Sequence, residues 1–203
     1  TAKTIGFIGF GAMASRMATN LKKAGFAAVA YTPSGKGGDE NTAFLPSPAD
    51  VARTADIVLV CVPDDEALSA SMYGPQGALA GMPEGGLLLN TSSVSPEAAQ
   101  ALLDAGQKLK VSVVDCPVSG STPEADSASL VVLAGGSEDD MARAKPVFDA
   151  IGRLTIHAGP AGSGARLKLV INGIMGAGLA AVAEGIAYGL AAGLDRSMLF
   201  DAL

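Results

Sequence analysis

Two polar residues stand where an apolar stretch would be expected to carry none: Lys168 and Asn172, four positions apart. On a helix that spacing puts both on one face. A Lys whose pKa is lowered by burial can exchange a proton with a hydroxyl or carbonyl oxygen. An Asn beside it can hold the amine or a substrate by hydrogen bonds. The competing reading is a Lys at a helix end that lays its stem on apolar surface and keeps its charge in water. Spacing alone does not choose between them.

The other chemistry-bearing string is Gly9-Phe10-Gly11-Ala12-Met13-Ala14, a GxGxxA loop between a strand-like run and a helix-like run. In that setting the two glycines allow a tight turn and a close backbone approach. The helix N-terminus then presents unpaired N–H groups and the positive end of its dipole to a pyrophosphate. The alternative is a tight strand-to-helix turn without a ligand. A site for NAD places an acidic residue about twenty positions further on, at the ribose 2′-hydroxyl. No Asp or Glu occurs from Phe10 to Gly38, and the second strand ends Tyr31-Thr32-Pro33-Ser34-Gly35-Lys36. The hydroxyls of Thr32 and Ser34 and the charge of Lys36 suit a 2′-phosphate, so NADP is the expected cofactor and NAD the lesser one.

These groups must be carried by a scaffold, and the apolar runs describe one. Residues 4–9, 27–31, 57–62, 87–90, 111–115, 130–134 and 153–157 read as strands. Helices are expected at 12–24, with Gly25 as the stop, and from Pro48 behind the cap Ser47. Others follow Asp64, run from Pro96 behind Ser95 to about 109, and run from Ser137 to about 151. Residues 117–128 read as a polar loop. The expected fold is α/β: a Rossmann-type, mostly parallel sheet with helices on both faces. It is followed by a long interdomain helix that begins an all-α domain. The expected boundary separates a dinucleotide-binding domain, 1–161, from 162–203. Residues 165–193 contain no Pro and only three charged residues, Arg166, Lys168 and Glu184. Such a helix could span a bilayer by length. Glu184 would then lie mid-span with nothing basic at the far end, so burial between domains or subunits is the expectation.

Composition removes other classes. With 49% hydrophobic and 17% charged residues, the 203-residue chain can bury a core. A net charge of −6 without a basic run argues against nucleic-acid binding. Cys61 and Cys116 sit in apolar runs, and His157 is the lone His, a loop-edge residue on its plainer reading. That set offers no metal site and suits a reducing, cytoplasmic setting.

Four segments together resemble the β-hydroxyacid dehydrogenase family. They are the glycine loop; Val62-Pro63 after a strand; Asp115-Cys116-Pro117-Val118-Ser119-Gly120; and the GxGxxxKxxxN string from Gly162 to Asn172. The resemblance covers about 170 residues in matching order. It implies that Val62 and Pro63 line the nicotinamide ribose and that Ser93, in Asn90-Thr91-Ser92-Ser93, touches the cofactor. Ser119, Gly120 and Ser121 would bind substrate, while Lys168 and Asn172 would be catalytic. It further implies a helical substrate domain beyond residue 203, and a homo-oligomer in contact through the long helix. Departures are Ala14 for the third glycine, Asn90 for Asp, Ser121 for the second Gly of the substrate loop, and Ala128 where a Gly usually precedes Ser129 and Leu130. The implied activity is hydride transfer between NADP(H) and a small hydroxy acid or its aldehyde or keto partner. An imine reductase is the alternative, although such enzymes usually lack this Lys. A nonenzymatic dinucleotide sensor is the alternative from another class.

Overall fold

The computed structural model describes residues 2–35 and 42–203. Lys36, assigned above to a 2′-phosphate, lies outside the described residues.

The first half is built as the apolar runs require. Strand β1 (Thr4–Ile8) leads through the glycine loop into α1 (Ala12–Lys23), then β2 (Ala27–Tyr31) and the short β3 (Ala43–Phe44). Helix α1 stops where expected: Gly25 takes φ +92°, and the Phe26 N–H donates back to the Leu21 carbonyl. Helix α2 (Pro48–Thr54) precedes β4 (Ile57–Val60), followed by α3 (Asp65–Met72), the single turn α4 (Ala78–Gly81) and β5 (Leu87–Asn90). Then come α5 (Pro96–Lys108), β6 (Ser112–Asp115), β7 (Val118–Ser119), α6 (Thr122–Asp126), β8 (Leu130–Gly135), α7 (Glu138–Ile151) and β9 (Gly152–Gly159). Local caps start the helices where the sequence places them. Ser47, Asp64, Ser95 and Ser137 accept from the N–H groups of Asp50, Ala67, Ala98 and Asp140.

Among the described residues the strands form one sheet ordered β3-β2-β1-β4-β5-β6-β8-β7, with β9 beside β8. The pairs from β3 to β6 are parallel. Strand β8 runs antiparallel to β6 and β7, and parallel to β9. Each central strand alternates its side chains between two cores. Ile5, Phe7, Leu59, Leu87 and Leu89 pack on one face with α1 and α7. Ile8, Val58, Val60 and Leu88 pack on the other with α2 and α5.

Residues 117–128, read above as a polar loop, hold β7 and α6 instead. Val118 and Ser119 pair with Val132 and Val131, too short a run to show alternation. Helix α6 closes with Ala128 at φ +52° and the Ser129 N–H donating to the Glu124 carbonyl. That left-handed position is where the family usually has Gly. The long helix α8 spans Ser163–Ala191, and α9 spans Arg196–Ala202 behind the cap Asp195. The chain divides into two compact units, 1–168 and 169–203, a later boundary than the expected one at 161/162. The first six residues of α8 belong to the first unit.

Candidate active site

Pairing register brings the site residues to one edge. Ile8 stands level with Tyr31 and with Val60, Val60 with Asn90, and Asn90 with Asp115. The residues just beyond these, Gly9, Thr32, Cys61, Thr91 and Cys116, therefore all leave the sheet at its carboxyl end. Between β1 and β4 the chain switches direction of winding, which is where a doubly wound sheet opens a crevice.

A cleft of about 610 Å³ lies there. It brings together seven of the residues assigned from the sequence: Gly9, Phe10, Gly11, Thr32, Ser34, Val62 and Pro63. Tyr31, Cys61 and the α3 residues Ala67, Ala70 and Ser71 also line it and were not anticipated. No short motif marks the α3 residues; only the fold brings them near. Burial pushes the Cys61 thiol pKa up, which keeps it protonated.

The glycine loop is fixed by its neighbours. Gly9 adopts φ +83°, and a Cβ there would stand 2.2 Å from the Cys61 carbonyl oxygen. Phe10 is almost fully buried, its ring set edge-on to Phe7 and Phe44 at 5.4 and 5.5 Å. Gly11 is different: a Cβ there would meet nothing within 4 Å. It is the N-cap of α1, with no side-chain cap and no acidic residue in the first turn. The helix start at Ala12 and Met13 is thus free of any internal anion, and open space lies over Gly11. These features fit a bound pyrophosphate.

The Asn90-Thr91-Ser92-Ser93 segment braces the cleft from behind. The Thr91 hydroxyl donates to the Val60 carbonyl at 2.7 Å, and the Val62 N–H donates to the Ser92 hydroxyl at 3.0 Å. Ser93, the residue assigned to the cofactor, is exposed.

Ser119 is half-buried on β7, and Gly120 follows with φ +132°. The Ser121 N–H donates to the Glu124 carboxylate at 2.7 Å, and so does its hydroxyl at 2.8 Å. A capping box therefore engages the amide that the sequence reading assigned to a substrate. These two bonds hold the Glu124 pKa below its usual value.

Lys168 is half-buried on α8, and burial lowers its pKa. Its ammonium has no hydrogen-bond or ion-pair partner among the described residues. Asn172, half-buried, lies one turn further along the same continuous helix and falls in the second unit. Arg166 is exposed. The lone His157 has Nε2 at 2.9 Å from the Gly136 carbonyl oxygen, at the far edge of the sheet. No cluster of three metal-ligating side chains occurs among the described residues.

A doubly wound sheet with a glycine-cornered, uncapped helix start at its switch point defines a dinucleotide-binding domain. Residues 4–159 match the family model described as the NAD binding domain of 6-phosphogluconate dehydrogenase. The chain is 31% identical to a probable mitochondrial 3-hydroxyisobutyrate dehydrogenase of Dictyostelium discoideum, over 98% of this chain and 63% of that protein. It is 32% identical to an NAD-dependent L-serine dehydrogenase of Pseudomonas aeruginosa, over 98% of this chain and 68% of that one. The structure of Mycobacterium tuberculosis 3-hydroxyisobutyrate dehydrogenase with L-serine superimposes with a TM-score of 0.87 at 27% identity, over 100% of this chain and 70% of that chain. The chain belongs to the β-hydroxyacid dehydrogenase family, and it spans about two thirds of the length of these relatives.

Proposed function

We propose that the chain is the cofactor-binding part of an NADP-preferring oxidoreductase acting on a small hydroxy acid or its aldehyde or keto partner. The observation that carries this reading is Lys168: a half-buried ammonium without a counter-ion, at the start of a helix that begins beside the sheet's carboxyl edge. Desolvation disfavours its charged form, the condition for a Lys that gives and takes a proton. Support for the cofactor comes from the open space over Gly11 and the uncapped start of α1. Support for NADP is that no Asp or Glu stands among the described residues lining the cleft at the end of β2, where Thr32 and Ser34 do. The nicotinamide ring, when bound, accepts or supplies the hydride. The protein's own share is to hold the pyrophosphate at Gly9–Met13 and the ribose near Val62, Pro63 and Ser93. Lys168 then moves the hydroxyl proton, with Asn172 orienting amine or substrate and the Ser119–Ser121 loop holding a substrate carboxylate.

The same reading extends to α8. Ile174, Leu179 and Tyr188 are 69%, 71% and 79% exposed within this chain. By length and composition α8 is the one helix among the described residues that could cross a membrane. We infer instead that protein covers it, in a homo-oligomer, because the family's enzymes are largely soluble and Glu184, two turns inside the carboxyl end of α8, favours a protein neighbour. A cytoplasmic location belongs to the same proposal and is supported by the two cysteines, Cys61 and Cys116, which form no disulfide.

The test is Lys168→Ala in the whole protein, with NADPH oxidation measured against small aldehydes and keto acids. Turnover is expected to fall by at least about a hundredfold while NADPH binding is kept, since only the proton-transfer group is removed. Near-normal turnover would take Lys168 out of the catalytic role.

A further inference from the structure

We propose that Asp115 is the positioning residue of the catalytic helix: its carboxylate clasps the first turn of α8 and so fixes where Lys168 stands. This rests on the reading of Lys168 as the proton-transfer group.

Asp115 is the last residue of β6 and is 2% exposed. One carboxylate oxygen accepts from the Gly162 N–H at 2.5 Å, the other from the Ala165 N–H at 2.7 Å. The opening N–H groups of a helix have no partner within it, and a carboxylate there also meets the positive dipole end. Burial raises the Asp115 pKa while the amides of Ala165, Gly162 and Gly164 pull it back down.

The manner of capping separates this helix from the others in the first unit. At α2, α3, α5 and α7 the cap is the residue just before the helix, and it moves with that helix. At α8 the cap comes from a strand 47 residues upstream. A local cap stabilises a helix wherever it lies. A clasp from the sheet also sets its position. Two bonds from one planar group fix both the height and the rotation of the first turn. Lys168 follows Ala165 by three residues, about 4.5 Å along the axis, so its amine inherits that placement.

The surroundings are shaped for the carboxylate. A Cβ on Gly135 would lie 2.6 Å from its Oδ1, and one on Gly164 would lie 3.0 Å from its Oδ2 and 2.3 Å from the Leu133 carbonyl. Gly162, at φ +92°, turns its amide toward Asp115. Burying a carboxylate with no cation beside it is costly unless every lone pair is answered. A neutral Ser cap from the residue before the helix, as at α2, α5 and α7, would start the helix without that cost.

The experiment uses the whole protein and Asp115→Asn, which keeps the shape but aims an NH₂ at one of the two amides. Turnover is expected to fall about a hundredfold, the scale of an ångström of misplacement at a reacting group, with NADPH affinity kept within about twofold. In a Lys168→Ala background the same change should leave residual turnover nearly unaltered, because the group being positioned is gone. A structural role alone would give equal losses in both backgrounds and overturn the proposal, as would wild-type turnover in Asp115→Asn. Amide exchange in the unsubstituted protein is the check that no folding defect can cloud. Gly162 and Ala165 should exchange at least about tenfold more slowly than a solvated first-turn amide, and unprotected amides there would refute the clasp. If Lys168→Ala alone keeps its turnover, the catalytic reading fails separately, and the amides still report on Asp115.

Discussion

Substituting Gly9 and Gly11 separately by Ala distinguishes a loop shaped by its own fold from one shaped for a ligand. At Gly9 the backbone has φ +83°, which costs an L-residue about 1–2 kcal/mol. The added Cβ would also lie 2.2 Å from the Cys61 carbonyl oxygen, in backbone that cannot rotate away. Overpacking of that kind adds about 1–3 kcal/mol. Gly9→Ala is therefore expected to lose about 2–5 kcal/mol, which lowers the melting midpoint by about 5–15 °C in a chain of this size. Gly11 has φ −76°, and its Cβ would meet no protein atom within 4 Å. The N-cap preference of Gly over Ala is worth about 1 kcal/mol at most, so Gly11→Ala should melt close to the parent. Its Cβ would nevertheless fill the space over the helix start. At least one charge-assisted N–H bond to phosphate should be lost, weakening NADPH about tenfold or more. Thermal melts and fluorescence titration of NADPH read the two effects. Unchanged NADPH affinity in Gly11→Ala would refute the assignment of this loop to the pyrophosphate. An unchanged midpoint in Gly9→Ala would refute the steric account.

Thr32→Asp places a carboxylate at the end of β2 and should move preference from NADPH toward NADH; tighter NADH binding in the parent protein would sink the NADP reading. In the oxidative direction the rate should rise with pH as Lys168 becomes neutral, levelling below its ordinary 10.5 because burial lowers its pKa, and Lys168→Ala should abolish that limb. The exposed apolar side chains of α8 should make the 203-residue chain self-associate at low micromolar concentration; a clean monomer by light scattering would show the helix is covered another way.

Local signals carried most of the fold. The caps at Ser47, Asp64, Ser95 and Ser137, the stop at Gly25 and the buried strands around the glycine loop all depend on residues within one turn of each other. Residues of the cleft were legible for a similar reason: Gly9 and Thr32 directly follow strands, Val62 and Gly11 come two and three positions after one, and register makes strand ends level. What was missed is long-range. The polar composition of 117–128 hid β7 and α6, because a two-residue strand has no period and α6 is barely one turn. Asp115 was visible only as a letter in a motif. Its partners, Gly162 and Ala165, lie about fifty positions away, and no spacing rule connects a strand end to a helix that begins there. Ser93 shows the converse, since its motif neighbours Thr91 and Ser92 make the buried bonds while Ser93 itself is exposed.

Ser121 replaces a glycine of the family's substrate loop, and the structure gives that replacement a consequence. A glycine there would leave only an N–H for Glu124. With Ser121, both the N–H and the hydroxyl donate to one carboxylate oxygen, at 2.7 and 2.8 Å. A substrate carboxylate seeking that amide, as the proposed function asks, meets a donor already paired and a like charge within bonding distance. If the loop meets a substrate carboxylate as proposed, it would discriminate by competition. Substrates with no carboxylate at this end would avoid the contest, and those with one would have to displace the half-buried Glu124 side chain. Glu124→Ala removes the competitor while leaving the N–H and hydroxyl of Ser121 in place. The expected result is a lower KM for carboxylate-bearing substrates, with kcat and NADPH affinity unchanged and uncharged aldehydes unaffected. An unchanged KM for acids would mean that the Ser121 amide does not meet the substrate. A raised KM would mean that the capping box holds the loop in its binding shape.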